Sequence, residues 1–212
     1  MAYPVSRRWK LAVLCVAIGI LAVLVSGCAS STKMKMIDPA TPLACGPSPR
    51  TMEYANITCD LEADAVVGHW HGGLLNIPYG DLTASLVIEA TPLFPGAVEE
   101  ELAEAGYALV RKKSSVFGEV TEGDVEQDIS IGGTITAAEY DTYSSVAGTK
   151  GEATVTVMWK LLDHQKNEIV YTMEAQGEAE GSDQDKMAIV GAVRASLREV
   201  LADPDFVELV SG

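Results

Sequence analysis

Residues 151–162 and 169–177 alternate in hydropathy with a period of two on either side of a short polar turn, and no other pattern leaves the chain so little freedom. Val155, Val157, Trp159 and Leu161 interleave with Thr154, Thr156, Met158 and Lys160. The turn Asp163-His164-Gln165-Lys166-Asn167 follows, and Ile169, Tyr171 and Met173 then alternate with Val170, Thr172 and Glu174. Successive side chains of a strand point to opposite faces, so this spacing predicts a β-hairpin with one face of large apolar groups. Such a face must be covered, and the sequence supplies a cover. Val190, Val193, Leu197, Val200 and Leu201 form an apolar stripe through a helix expected over residues 183–202. Ser182 and Asp185 suit its capping box, and Asp203-Pro204 stops it because the residue before proline disfavours helical geometry. Phe206, Leu209 and Val210 are expected to fold back onto the core.

The centre of the chain reads as alternating elements. Residues 82–90 (LTASLVIEA) read as a strand with Leu86 and Ile88 on one face. Residues 95–105 read as a helix, with Val98, Leu102 and Ala105 inward and Gly106 as its C-terminal cap. Glu99, Glu100, Glu101 and Glu104 are expected outward, as solvated surface or, alternatively, as a docking face for a basic partner. Residues 107–111 start another strand, residues 114–127 form a polar loop, and Ile129, Ile131 and Ile135 mark a strand over 128–140. The order β-α-β-β-β-β-α predicts an α+β two-layer sandwich, its sheet mostly antiparallel with two helices on one face. Residues 51–80 carry no decisive period; residues 62–67 fit a helical turn or a strand equally.

The amino terminus is of another kind. Arg7, Arg8 and Lys10 precede residues 11–25, an uncharged apolar run of 15 residues. That is short of the roughly 20 residues that span a bilayer and has the build of a secretory signal. Ser6-Arg7-Arg8 hints at a twin-arginine signal, but the residues after it suit the general secretory route better. The run ends in Val25-Ser26-Gly27-Cys28, which resembles the lipobox of bacterial lipoproteins. The resemblance implies cleavage before Cys28 and a diacylglycerol on its thiol, with a further acyl group (palmitate) on the new amino terminus. Each buried CH₂ contributes about 0.8 kcal/mol, so several acyl chains anchor stably. Ala29 follows the cysteine where a lipoprotein kept in the inner membrane carries Asp, and this favours the periplasmic face of the outer membrane.

These readings divide the chain into a signal peptide over 1–27, a lipid-anchored tether with a disulfide loop over 28–80, and an α+β domain over 81–212. Three of the 15 Lys and Arg lie in the signal and none of the 30 Asp and Glu does, so the mature chain carries 12 minus 30, or −18. Nucleic acid, whose binding rests on cationic contacts to phosphate, is excluded as a partner class. Cys15 falls in the signal and Cys28 takes lipid; Cys45 and Cys59 remain, in a compartment that permits disulfides, and are expected to pair. Closing a loop of about 15 residues contributes roughly 3 kcal/mol in the chain-entropy model.

Little suggests catalysis. His69 and His71 stand two apart and could share a strand face, but a metal site needs further ligands and none is evident nearby. They read as a partly exposed aromatic cluster around Trp70. His164 reads as a polar turn residue rather than a general base. No G-x-S-x-G, P-loop or H-E-x-x-H motif occurs. We expect no enzyme, no metal and no cofactor. The partners expected are a membrane, through the lipid, and a protein of the envelope, with Trp159 and its face as core or in part interface.

Gly106-Tyr107, residues 150–153 (KGEA), Val157-x-Trp159-x-Leu161-x-Asp163, Val170-Tyr171, Gly177 and Leu201-Ala202-Asp203-Pro204-x-Phe206 occur in an order that resembles a small periplasmic α+β module found beside some bacterial trypsin-like proteases. The order is also similar to auxiliary lipoproteins of transport systems and to a lipoprotein of the conjugal transfer apparatus. The resemblance spans residues 82–210 and implies a module without catalysis of its own; no protease domain is expected after Gly212. The expected function is an accessory or scaffold subunit of an envelope assembly, the alternative a regulatory or sensing module for a periplasmic protease.

Overall fold

A computed structural model describes residues 35–36, 50–73, 75–110, 127–145, 148–181 and 186–211. Strand β1 is Lys35–Met36, β2 is Thr51–Cys59, β3 is Val66–Gly72 and β4 is Ile77–Thr83. Helix α1 (Ser85–Ala90) runs through a 3₁₀ turn at Thr91–Leu93 into α2 (Phe94–Glu104). After the short β5 (Ala108–Leu109) come the long strands β6 (Ile129–Ser145), β7 (Gly148–Asp163) and β8 (Glu168–Gly181). Helices α3 (Met187–Ala202) and α4 (Pro204–Ser211) close the described chain. This is an α+β fold. Among the described residues no helix is long and apolar enough to cross a membrane.

The hairpin of β7 and β8 forms as its period requires. Val155, Val157, Trp159 and Leu161 are buried, and Ala175, Gly177 and Ala179 continue the same face along β8. A register shift after Leu161 turns Ile169 outward, where it is more than half exposed. Helix α3 lies on this face with Val190, Val193, Leu197, Val200 and Leu201 all buried. Gly177 sets how closely it lies: a Cβ there would sit 2.0 Å from the Ala192 carbonyl oxygen and 2.3 Å from the Ser196 amide nitrogen. The helix backbone thus rests directly on the strand. Trp159 is fully buried beneath it, and its indole N–H donates to Ser196 Oγ at 3.3 Å, so the polar edge of the ring is satisfied. Ser182 and Asp185, expected to cap α3, lie outside the described residues. Asp203 stands extended at the helix C-terminus, as the following proline demands. Its carboxylate then accepts the amides of Asp205 and Phe206 and starts α4, a helix that was not expected, which buries Phe206 and Val210.

Helix α2 matches the expectation over 95–105 to within a residue at each end. Val98, Leu102 and Ala105 are buried, and Gly106 takes φ +88°, a left-handed value suited to a helix end. The acidic face needs correction: Glu101 is fully buried. It faces α3, where Arg194 Nε donates to its carboxylate at 2.8 Å and Arg198 Nε donates to the other oxygen. Glu100 and Glu104 pair with the same two arginines. Two arginines thus offset half of the charge of the four glutamates of this helix within the molecule.

The expected strand over 82–90 is also corrected. It ends at Thr83, and α1 begins at Ser85. Ala84, Val87 and Ala90 are buried at helical spacing, whereas Ile88 is exposed. Residues 51–80, expected mostly as tether, contain three strands of the main sheet. The sheet is mostly antiparallel, as expected, with short parallel pairings added on β2 and β3. β6 pairs antiparallel with β7, while β2 runs parallel to its first half from Met52↔Ile129 and β3 parallel to its last residues from Trp70↔Thr142. The helices α2 and α3 pack against each other and on the sheet, as the two-layer reading requires. The polar loop expected over 114–127 falls almost wholly outside the described residues.

Candidate functional site

Cross-strand register brings one set of polar side chains together that no motif announces. Glu53 on β2 stands opposite Ser130 on β6, and Ser130 stands opposite Leu162 on β7. His164 lies two residues beyond Leu162, and its amide donates to the Asp128 carbonyl, which fixes the turn over this row. The three elements line a cleft of about 710 Å³ with Tyr54, Ala55, Glu99 and Val110. Burial of the Tyr54 hydroxyl pushes its pKa up to about 12; a bond to the Ile57 backbone opposes the shift and the Glu99 carboxylate adds to it.

Ser130 Oγ is the hub of this row. It donates to Glu53 Oε2 at 3.2 Å and lies 2.7 Å from His164 Nε2. A hydroxyl has one proton, and here it goes to the carboxylate. With the proton on that bond, His164 donates to Ser130 Oγ as the Nε2–H tautomer. An activated serine needs the reverse: the imidazole takes the hydroxyl proton and the carboxylate orients the imidazole through its other nitrogen. The arrangement is a chain of donors ending on Glu53, suited to fixing three strands in register. Neither Glu53 nor Ser130 was singled out from the sequence; only the strand pairing reveals them. His164 is an exposed turn residue, as expected, and also closes this network.

The same end of the sheet is held by two more carboxylates. Asp163 is buried and accepts from the Arg50 guanidinium at 2.7 Å and from the amides of Gln165 and Lys166. Chiefly that guanidinium, then the Lys166 amide, holds the Asp163 carboxyl below the ordinary carboxylate range. Asp128 accepts the amide and hydroxyl of Thr51, which lower its pKa in the same way.

His69 and His71 lie on β3, but their rings serve different partners. His69 Nδ1 is 3.2 Å from Asp81 Oδ1, and its ring is half exposed. His71 stacks on Tyr143 with centroids 4.8 Å apart, and its Nδ1–H donates to the Asn76 carbonyl at 3.1 Å. His71 Nε2 is buried 3.3 Å from Asp141 Oδ1 without forming a hydrogen bond to it. The two rings are 6.3 Å apart and edge-on. Among the described residues no group of three or more His, Cys, Asp or Glu could hold a metal ion. Cys59 is half-buried at the end of β2 and forms no disulfide among the described residues; its expected partner Cys45, like Cys28, lies outside them.

No family model matches the chain, and no curated protein matches its sequence. Among solved structures, the chain is similar to protein XCC0632 from Xanthomonas campestris, described under the family model DUF330. Identity is 16% over 79% of this chain and 88% of that one, with a TM-score of 0.40. It is also similar to PelC of Paraburkholderia phytofirmans, a dodecamer (8% identity, 78% and 99% covered, TM-score 0.34). A third similar structure is lipoprotein GNA1162 of Neisseria meningitidis (16% identity, 73% and 99% covered, TM-score 0.26).

Proposed function

We propose that the protein is a non-enzymatic lipoprotein of the outer membrane, anchored through Cys28 on the periplasmic face, and that it serves as an accessory or scaffold subunit of an envelope assembly. The observation that carries this reading is Val25-Ser26-Gly27-Cys28 after an uncharged run of 15 residues. The α+β domain supplies a rigid body for such a role. Its most catalytic-looking group supports the reading too, because the Glu53 carboxylate sits on the Ser130 hydroxyl itself, the place a triad keeps for the imidazole base. The partner class is a protein of the envelope; nucleic acid is disfavoured by the charge of −15 on the whole chain. A Cys45–Cys59 disulfide would tie the tether to the end of β2.

The test is complementation of a deletion strain, with protein levels checked by blot. Ser130→Ala combined with His164→Ala should leave cellular function intact wherever the protein accumulates normally. Cys28→Ala should abolish function or release the protein from the membrane. A well-folded, normally abundant Ser130→Ala protein without function would replace the scaffold reading with a catalytic one.

A further inference from the structure

The hairpin of β3 and β4 ends in an apolar tip. Leu75 is 81% exposed, Ile77 58% and Tyr79 64%, and Pro78 is exposed between them. Residues 72–80 contain no Asp, Glu, Lys or Arg, in a chain where charged residues make up 21%. Soluble surfaces place single apolar side chains outward freely, but an uncharged cluster of large ones at a hairpin tip marks a contact.

Strand register tells which end of the sheet this tip belongs to. Trp70 stands beside Thr142 and Gly72 beside Ser144, near the end of β6. At the other edge of the sheet β1 occupies the same level. Lys35 pairs with Glu180, Glu180 with Glu152, and Glu152 with Asp141, the neighbour of Thr142. Cys28 precedes Lys35 by seven residues. Whatever their conformation, seven residues reach at most about 25 Å. The opposite end of the sheet, at Asp163, lies eleven residues along β7 from Glu152, about 36 Å at the rise of a strand. An acyl group on Cys28 therefore holds Lys35, and with it the end of the sheet that carries the hairpin tip, within about 25 Å of the bilayer.

We infer that the β3–β4 tip is a second membrane contact, with Leu75 and Ile77 entering the acyl boundary of a phospholipid bilayer and Tyr79 at the headgroup level. The inference rests on the lipid-anchored reading above. The chemistry fits one occupant. A tip without charge gains nothing from an ionic partner, while a bilayer interface takes aliphatic groups with a tyrosine at its polar margin. The acidic character of the rest of the chain opposes flat docking on anionic lipid, so the contact is limited to the uncharged tip. Two attachments, the lipid and the tip, fix the orientation of the domain above the membrane, which a single attachment does not.

The experiment uses the full lipidated protein in vesicles of phosphatidylethanolamine and phosphatidylglycerol doped with a diazirine-bearing phospholipid. After photolysis, lipid adducts are mapped by peptide mass spectrometry. Adducts are expected in the peptide covering residues 72–80 and near Cys28, with none in the turn at residues 164–167. Leu75→Ser with Ile77→Ser, both exposed and so compatible with folding, should lose the hairpin adducts and keep those near Cys28. Adducts near Cys28 alone, or crosslinks from the hairpin to a second protein copy in place of lipid, overturn the membrane contact and leave the anchor standing. Hairpin adducts with an unmodified Cys28 support the contact and overturn the anchor. Adducts at neither site overturn both.

Discussion

Replacing Glu101 with Ala should cost the domain much more than replacing its neighbour Glu100. Glu101 is fully buried between α2 and α3, with Arg194 and Arg198 on its two carboxylate oxygens. Their side chains are only 11% and 22% exposed, so water reaches them poorly. Removing one partner of a buried ion pair commonly costs 3–5 kcal/mol, because the remaining charge stays desolvated. Here Glu100 and Glu104 stay within reach of the two arginines, which places the expected loss at the lower end, about 3 kcal/mol. Glu100 is 61% exposed, and its pair with Arg194 at 3.0 Å should contribute about 0.5 kcal/mol. Urea unfolding at neutral pH and moderate salt reads both values, with an unchanged m-value as the sign that only stability has moved. A double-mutant cycle of Glu101→Ala with Arg198→Ala should show a coupling of at least about 1 kcal/mol. Equal losses for Glu100→Ala and Glu101→Ala, with no coupling to Arg198, would refute the claim that this pair holds the two helices together.

Gly177→Ala should destabilise the protein by about 3 kcal/mol in the same unfolding assay, because overpacking here pushes on helix backbone and not on a flexible side chain; a loss under about 0.5 kcal/mol would show that α3 does not rest on β8 at this point. Asp163 has a folded-state pKa below its ordinary value of 3.8, so its contribution is present above that value and is lost as pH falls through the folded value. Unfolding midpoints measured from pH 7 to pH 3 should therefore fall for the natural protein and fall less steeply for Asp163→Asn, which starts lower at pH 7; parallel curves would contradict the Arg50–Asp163 assignment.

How far the sequence discloses the fold depends on the length of each period. The β7–β8 hairpin and α3 were legible because their apolar positions repeat many times on one face, and burial follows that repeat residue by residue. Residues 82–90 were not, because a short apolar run fits two periods. Leu86 and Ile88 suggest a strand, whereas Ala84, Val87 and Ala90 at intervals of three are the positions the core takes. β2 was hidden by a register shift between Tyr54 and Ile57 that breaks its alternation. A second shift between Trp70 and His71 disturbs the two-residue period on which a shared face for His69 and His71 depended. Glu101 sat in a run of glutamates and gave no sign of its burial. A sign did exist in Arg194 and Arg198, two cations one turn apart on the strongly apolar helix α3 of an acidic chain. The Glu53–Ser130–His164 row is a product of strand pairing between segments far apart in sequence, so no local pattern records it.

Intact-mass and peptide mass spectrometry of the protein isolated from bacterial membranes tests the central claim most directly. The account predicts that the mature chain begins at Cys28 and that its first peptide carries a thioether-linked diacylglycerol and an amide-linked fatty acid. An amino-terminal peptide upstream of Cys28, or a peptide containing an unmodified Cys28 thiol in membrane-bound protein, would contradict it.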